Sequence, residues 1–238
     1  MTGALASLPL AVTGPATTTN DLATQLTSGG TSTALDILVL LTLITLLPGL
    51  LLSVTGFTRI LIVLGFVRNA LGTPTMPPNQ VLVGISLFLT LFVMSPTLTK
   101  VNDVAIKPWR KHEISQTVAI ERAQEPLRQF MFKQTRDSDL SLFVKLGKLD
   151  RPQTRADIPT QVLVPAFILS ELKTAFQIGF LIFIPFLIID MVVSSTLMSM
   201  GMMMLPPVLI SLPFKILLFV LVDGWHLTIE GLVNTFHQ

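Results

Sequence analysis

Between Thr174 and Val222 only two side chains carry a charge, Asp190 and Lys215. An ionisable group set in so apolar a stretch is costly unless it is paired or used to move a proton or an ion. Counted from the chain reversal near Met203, Asp190 lies thirteen residues before and Lys215 twelve residues after. At about 1.5 Å per residue, two antiparallel helices would bring them to nearly the same depth. They can therefore form an ion pair that fixes the register of a hairpin, within one chain or between subunits. The other reading is a proton or ion relay. No other pair in the apolar segments offers an intramembrane enzyme its acid and base, so no catalytic site is expected.

The second feature is soft rather than charged. Five of the ten methionines fall between Met198 and Met204. Methionine is unbranched and polarizable, and it closes around surfaces of varied shape without demanding fixed hydrogen bonds. Placed at a hairpin turn and repeated around an oligomer's axis, the side chains of this run would make an apolar constriction of the kind that gates by dewetting. The plainer alternative is packing against neighbouring helices or lipid.

Other chemistry finds little support. The chain has no cysteine, which removes disulfides, thiolate metal sites and a cysteine nucleophile. His112, His226 and His237 lie far apart without metal-ligand spacing, and no phosphate-binding, dinucleotide or nucleophile-elbow motif occurs. No cofactor or metal is expected. With a net charge of +2 and basic residues spread along the chain, nucleic acid is not an expected partner.

These residues have to be positioned by membrane helices. The 238 residues are 50% hydrophobic and 13% charged, against about 25% charged in an ordinary soluble domain. Roughly 20 apolar helical residues cross a bilayer, and four segments qualify: residues 35–57, 81–98, 175–198 and 202–222. They run without the strict alternation of a membrane β-barrel. The expected fold is an all-α membrane protein of two apolar helical hairpins, with a helical extramembrane domain between them.

Residues 1–34 contain no Lys or Arg and read as a polar, flexible N-terminal tail without the basic start of a signal peptide. The first hydrophobic hairpin covers residues 35–99. From Leu35 almost to Leu71 the chain stays apolar, about 55 Å as one straight helix, so bends are expected at Pro48, Gly49 and Gly56. Arg59 and Arg68 bracket a less hydrophobic extension, and a Pro-rich turn follows at residues 72–79.

Residues 100–173 hold thirteen Lys or Arg and nine Asp or Glu, a soluble domain's density of charge. One helix is expected to begin near Pro126, another to follow Asp137 as N-cap and stop near Gly147. Residues 150–159 read as a loop. Pro165 is expected to open a long helix that carries Glu171 and Lys173 into the second hydrophobic hairpin, residues 174–222. That hairpin bends at Pro185 and turns at Gly201, Pro206 and Pro207. Residues 223–238 form a C-terminal segment. Arg59 and Arg68, set against a tail with no basic residue, favour the tail and residues 100–173 outside and the first turn inside.

Several motifs occur together in one order from about Thr55 to the C-terminus: Gly56-Phe57-Thr58-Arg59, Arg68-Asn69-Ala70-Leu71-Gly72, Pro77-Pro78-Asn79-Gln80-Val81-Leu82, and Phe130-Met131 followed by Asp139-Leu140. They continue as Pro165-Ala166-Phe167, Ser170-Glu171-Leu172, Pro185 to Asp190, the methionine run, Ile210 to Lys215, and Asp223-Gly224-Trp225. In these motifs the chain closely resembles the export-gate family of type III secretion, FliP in flagella and SctR in virulence systems. Met202-Met203-Met204 with Leu205-Pro206-Pro207, and the extended N-terminal region, resemble the flagellar branch.

The resemblance implies a core subunit of the flagellar protein export gate in the bacterial inner membrane, part of the basal body, with the central domain periplasmic. It implies five copies assembling with FliQ and FliR into a helical pore beside FlhA and FlhB, through which unfolded flagellar proteins pass. The methionine loop, here Met202 to Met204, would be a gasket around the passing chain. It also implies hairpins bent and packed on one another, so that the four apolar segments need not all be simple spans. The alternatives are a virulence export-apparatus subunit, or a small-solute or proton-coupled transporter, which would need a polar site at mid-membrane depth.

Overall fold

A computed structural model describes residues 31–148, 154–202 and 204–236. The polar tail through residue 30, Met203 and most of the first half of the 150–159 loop lie outside the described residues. Among the described residues every regular element is helical. The chain divides into two compact units at the step from Pro48 to Gly49.

Helix α1, Thr31–Val54, continues through Pro48 and Gly49 and is interrupted only at Thr55-Gly56. The apolar segment expected to reach residue 57 therefore ends at Val54. Helix α2 follows over Phe57–Ala70. Its buried residues Phe57, Ile60, Val63, Leu64, Val67 and Ala70 recur at three- and four-residue steps, the spacing that gives a helix one core-facing stripe. Helix α3, Asn79–Val101, begins after Pro78. It passes through a π-helical turn at Asn102–Ile106 into the short α4, Lys107–Arg110.

Helix α5, Gln116–Gln134, starts ten residues earlier than expected, because the Ser115 hydroxyl caps it by accepting from the Val118 N–H at 3.4 Å. Pro126 lies inside the helix. Helix α6 spans Asp137–Leu146 and stops at Gly147, but its N-cap is Arg136, with Asp137 the first helical residue. Acidic Asp137 and Asp139 in that first turn suit the positive end of the helix dipole.

Helix α7, Thr160–Ser199, has 40 residues, about 60 Å of rise. It begins after Pro159, so Pro165 does not open it. Pro165 and Pro185 both lie inside the continuous helix. Helix α8, Pro207–Leu221, is joined through left-handed Asp223, φ 50°, to α9, Gly224–Asn234, which is inclined to it by 64°.

Two helices among the described residues are long and apolar enough to cross a membrane, Asn79–Arg110 and Thr160–Ser199. The bent pair α8–α9 makes a third if it counts as one span. Their length and composition suit a membrane protein.

One apolar core draws on helices distant in sequence. Ile60 and Leu64 of α2, Met94 of α3, Met131 of α5, Leu163 and Phe167 of α7 and Leu232 of α9 are all buried in it. Helices α2 and α7 approach so closely at Gly179 that a Cβ there would sit 2.4 Å from the Phe66 ring.

Candidate functional site: the α7–α8 hairpin and the buried ion pairs

The reversal between α7 and α8 is built by backbone chemistry. The Gly201 N–H bonds to the Met198 carbonyl at 3.0 Å, and the Met202 N–H bonds to the Leu197 carbonyl at 3.0 Å, closing the orphan end of α7. Gly201 takes φ 74°, the left-handed conformation open to glycine. Pro206 is the N-cap and Pro207 the first residue of α8, where proline's missing N–H costs nothing.

This turn leaves its described methionines unpacked within the chain. Met204 is 98% exposed, Met200 63%, Met198 60% and Met202 43%. Large apolar side chains in that state mark a surface made for another apolar partner.

Further along the hairpin, the structure brings Asp190 and Lys215 together, with Lys215 Nζ 2.6 Å from Asp190 Oδ2. Ser211 donates its hydroxyl to Asp190 Oδ1 at 2.5 Å. Lys215 is buried and Asp190 half-buried. Both carboxylate oxygens are thus engaged by α8, one turn apart, which holds the two helices at a set depth. Pro185 lies five residues before Asp190 in α7.

A second ion pair was not anticipated. Arg59 of α2 is 2% exposed and Glu171 of α7 is 0% exposed. The guanidinium meets the carboxylate with two bonds: Nε donates to Oε2 at 2.9 Å, and Nη2 donates to Oε1. Nη2 also donates to Gln134 Oε1 at 3.0 Å, and Nη1 donates to Thr235 Oγ1 at 3.0 Å. The Phe236 ring lies 4.0 Å from the guanidinium carbon, a cation–π contact. Four helical regions, α2, α5, α7 and the end of α9, therefore converge on one cation. Arg59 is not a free loop charge, so it leaves the positive-inside count. Lone charges at the edges of apolar runs were the sequence signal for this pair, since such groups are rarely left without a partner.

A third cluster joins α6 to α7. Asp139, buried in α6, accepts from the Ser170 hydroxyl at 2.8 Å and from the Lys173 ammonium. Burial acts to raise the Asp139 carboxyl. The bonds from Lys173 and Ser170, with the charges of Lys173 and Arg136, outweigh it, and the group titrates below its ordinary value of 3.8. Among the described residues no group of three or more His, Cys, Asp or Glu is arranged to hold a metal.

Comparison with known proteins places the sequence in a family. Residues 40–232 match the FliP family. The chain is 58% identical to flagellar biosynthetic protein FliP of Bacillus subtilis (strain 168) over 205 residues, covering 86% of this chain and 93% of that one. It is 59% identical to the protein of that name from Pectobacterium carotovorum subsp. carotovorum over 215 residues, 90% of this chain and 83% of the relative. With the Aquifex aeolicus (strain VF5) protein of that name it shares 47% identity over 205 residues, 85% and 86% of the two chains. A match over so much of the sequence, at such identity, makes this chain a member of the FliP family.

Proposed function

We propose that this chain is a core subunit of the flagellar type III protein export gate, and that several copies, five by the family resemblance, build an inner-membrane pore for unfolded flagellar proteins. FliQ and FliR are the partners that complete the pore wall, with FlhA and FlhB beside it. Residues 100–173 face the periplasm in this arrangement. The observation that carries the reading is the α7–α8 reversal, where methionines stand exposed on a turn that the chain's own backbone holds in place.

Apolar, flexible thioethers suit a ring that must close on itself and on passing segments of any sequence. A chain in transit offers no fixed hydrogen-bond pattern, so a seal made of directional donors would fail on most of it. Asp190 and Lys215 then serve as a register lock: they set how far the methionine turn projects, and the energy for transport enters elsewhere.

Ion leak tests this. In assembled complexes, replacing Met202, Met203 and Met204 together by Ala is expected to raise membrane conductance severalfold at rest. Unchanged conductance in a complex of normal composition would refute the seal.

A further inference from the structure

Where the apolar run of α3 ends, a notch of about 220 Å³ opens between α3 and α5. Val93, Phe130 and Phe236 give it an apolar floor, while Lys100 and Lys133 stand on its rim with Gln129. Both lysines are exposed, and neither enters an ion pair among the described residues. The shelf that continues from the notch carries one acidic side chain, Glu125, which accepts from Gln129 at 3.1 Å, and it also carries Arg122. The local balance is positive.

The approach to the notch is apolar. Phe88, Phe92, Pro96 and Lys100 recur every four residues on α3, so they follow one another along a single ridge. Phe88 is 75% and Phe92 64% exposed. Trp109, also exposed, stands beyond Lys100 near the end of the same long helix, on the side of the charged region. Charge and apolar surface thus lie in the order of an amphiphile: an apolar ridge, then two cations, then the charged region.

We propose that this notch seats the phosphate of an anionic phospholipid between Lys100 and Lys133, with the acyl chains along the Phe88–Phe92 ridge. Two ammonium groups beside an apolar helix face attract an anionic headgroup as point charges while that face covers its chains, in whichever leaflet the lipid lies. The ammonium of lysine suits the task as a mobile point charge on an apolar stem that packs against the floor. The inference rests on the membrane placement of α3 and is independent of any role in export.

The test uses the full chain in detergent, titrated with dioctanoyl phosphatidylglycerol, dioctanoyl phosphatidylcholine and inorganic phosphate, with bound lipid counted by native mass spectrometry. Wild type is expected to retain one phosphatidylglycerol about tenfold more tightly than phosphatidylcholine. Lys100→Gln with Lys133→Gln is expected to abolish that preference at unchanged helicity. The control Lys145→Gln with Lys148→Gln, which removes two positive charges elsewhere, is expected to keep it. Absence of a preference, its survival in Lys100→Gln/Lys133→Gln, or its equal loss in the control would overturn the proposal. So would competition by inorganic phosphate at the same concentration as the lipid, which would mark a free-anion site.

Discussion

Arg59 and Glu171 illustrate how a buried charge acts through what happens when its partner is removed. Each is fully desolvated, and their mutual bonds only offset that cost. Glu171→Gln is expected to destabilise the chain by about 3–5 kcal/mol, because Arg59 stays buried without a counter-charge. Arg59→Met combined with Glu171→Leu is expected to cost less than Glu171→Gln alone. Denaturant unfolding in detergent reads both, and a double variant worse than either single change would contradict the account. Asp139 gives a pH signature. Its folded carboxyl titrates below 3.8, so its contribution is complete above that value and is lost as pH falls through the lower folded pKa. The stability gap between wild type and Asp139→Asn is expected to stay level from neutral pH to about pH 5 and to close in stronger acid. The Asp190–Lys215 contact was legible from sequence because both residues sit on one local hairpin, where counting from the turn suffices. The Arg59–Glu171 contact was not, since 112 residues separate the partners and only the packing of α2 on α7 brings them together.

Helix boundaries show which local signals prevailed. Proline favours a first helical turn, which pointed to starts at Pro126 and Pro165. The chain begins those helices earlier, at Gln116 and Thr160. The Ser115 cap and Pro159 were the stronger start signals, and both prolines are absorbed into helices whose faces are held by tertiary contacts. The second hairpin was easier to read because Gly201 and Pro206-Pro207 stop and restart the helix by backbone geometry alone. Its fourth apolar segment, expected over residues 202–222, is shortened to Pro207–Leu221 for the same reason. What no periodicity reveals is the distance between helices. Gly179→Ala tests that distance: the added methyl meets the Phe66 ring, and a loss of about 1–3 kcal/mol is expected. Gly179→Ala with Phe66→Leu should recover part of it, and a full additive loss in the double variant would show that the two helices do not meet there.

At the scale of the molecule, the all-helical class was readable from the continuous apolar runs and the scarcity of charge. The way the pieces combine was hidden. A charge-rich middle between two apolar hairpins reads as a separate domain, yet Phe130, Met131 and Leu140 of that region share one core with α2, α3, α7 and α9. The Arg59 centre adds polar ties among the same elements. A unit so tied together can present its methionine turn on a firm base while leaving the turn itself unpacked. In the proposed pore these turns meet one another around a common axis. The sequence has no cysteine, so Met204→Cys introduces a single thiol at the most exposed of the turn's described methionines. Oxidation of the complex in native membranes is the direct measurement. Convergent turns predict a disulfide-linked dimer of this chain that is lost on reduction and absent from an equivalent Val220→Cys variant on α8. A Met204→Cys chain that assembles normally yet stays monomeric under oxidation, while Val220→Cys pairs, would contradict it.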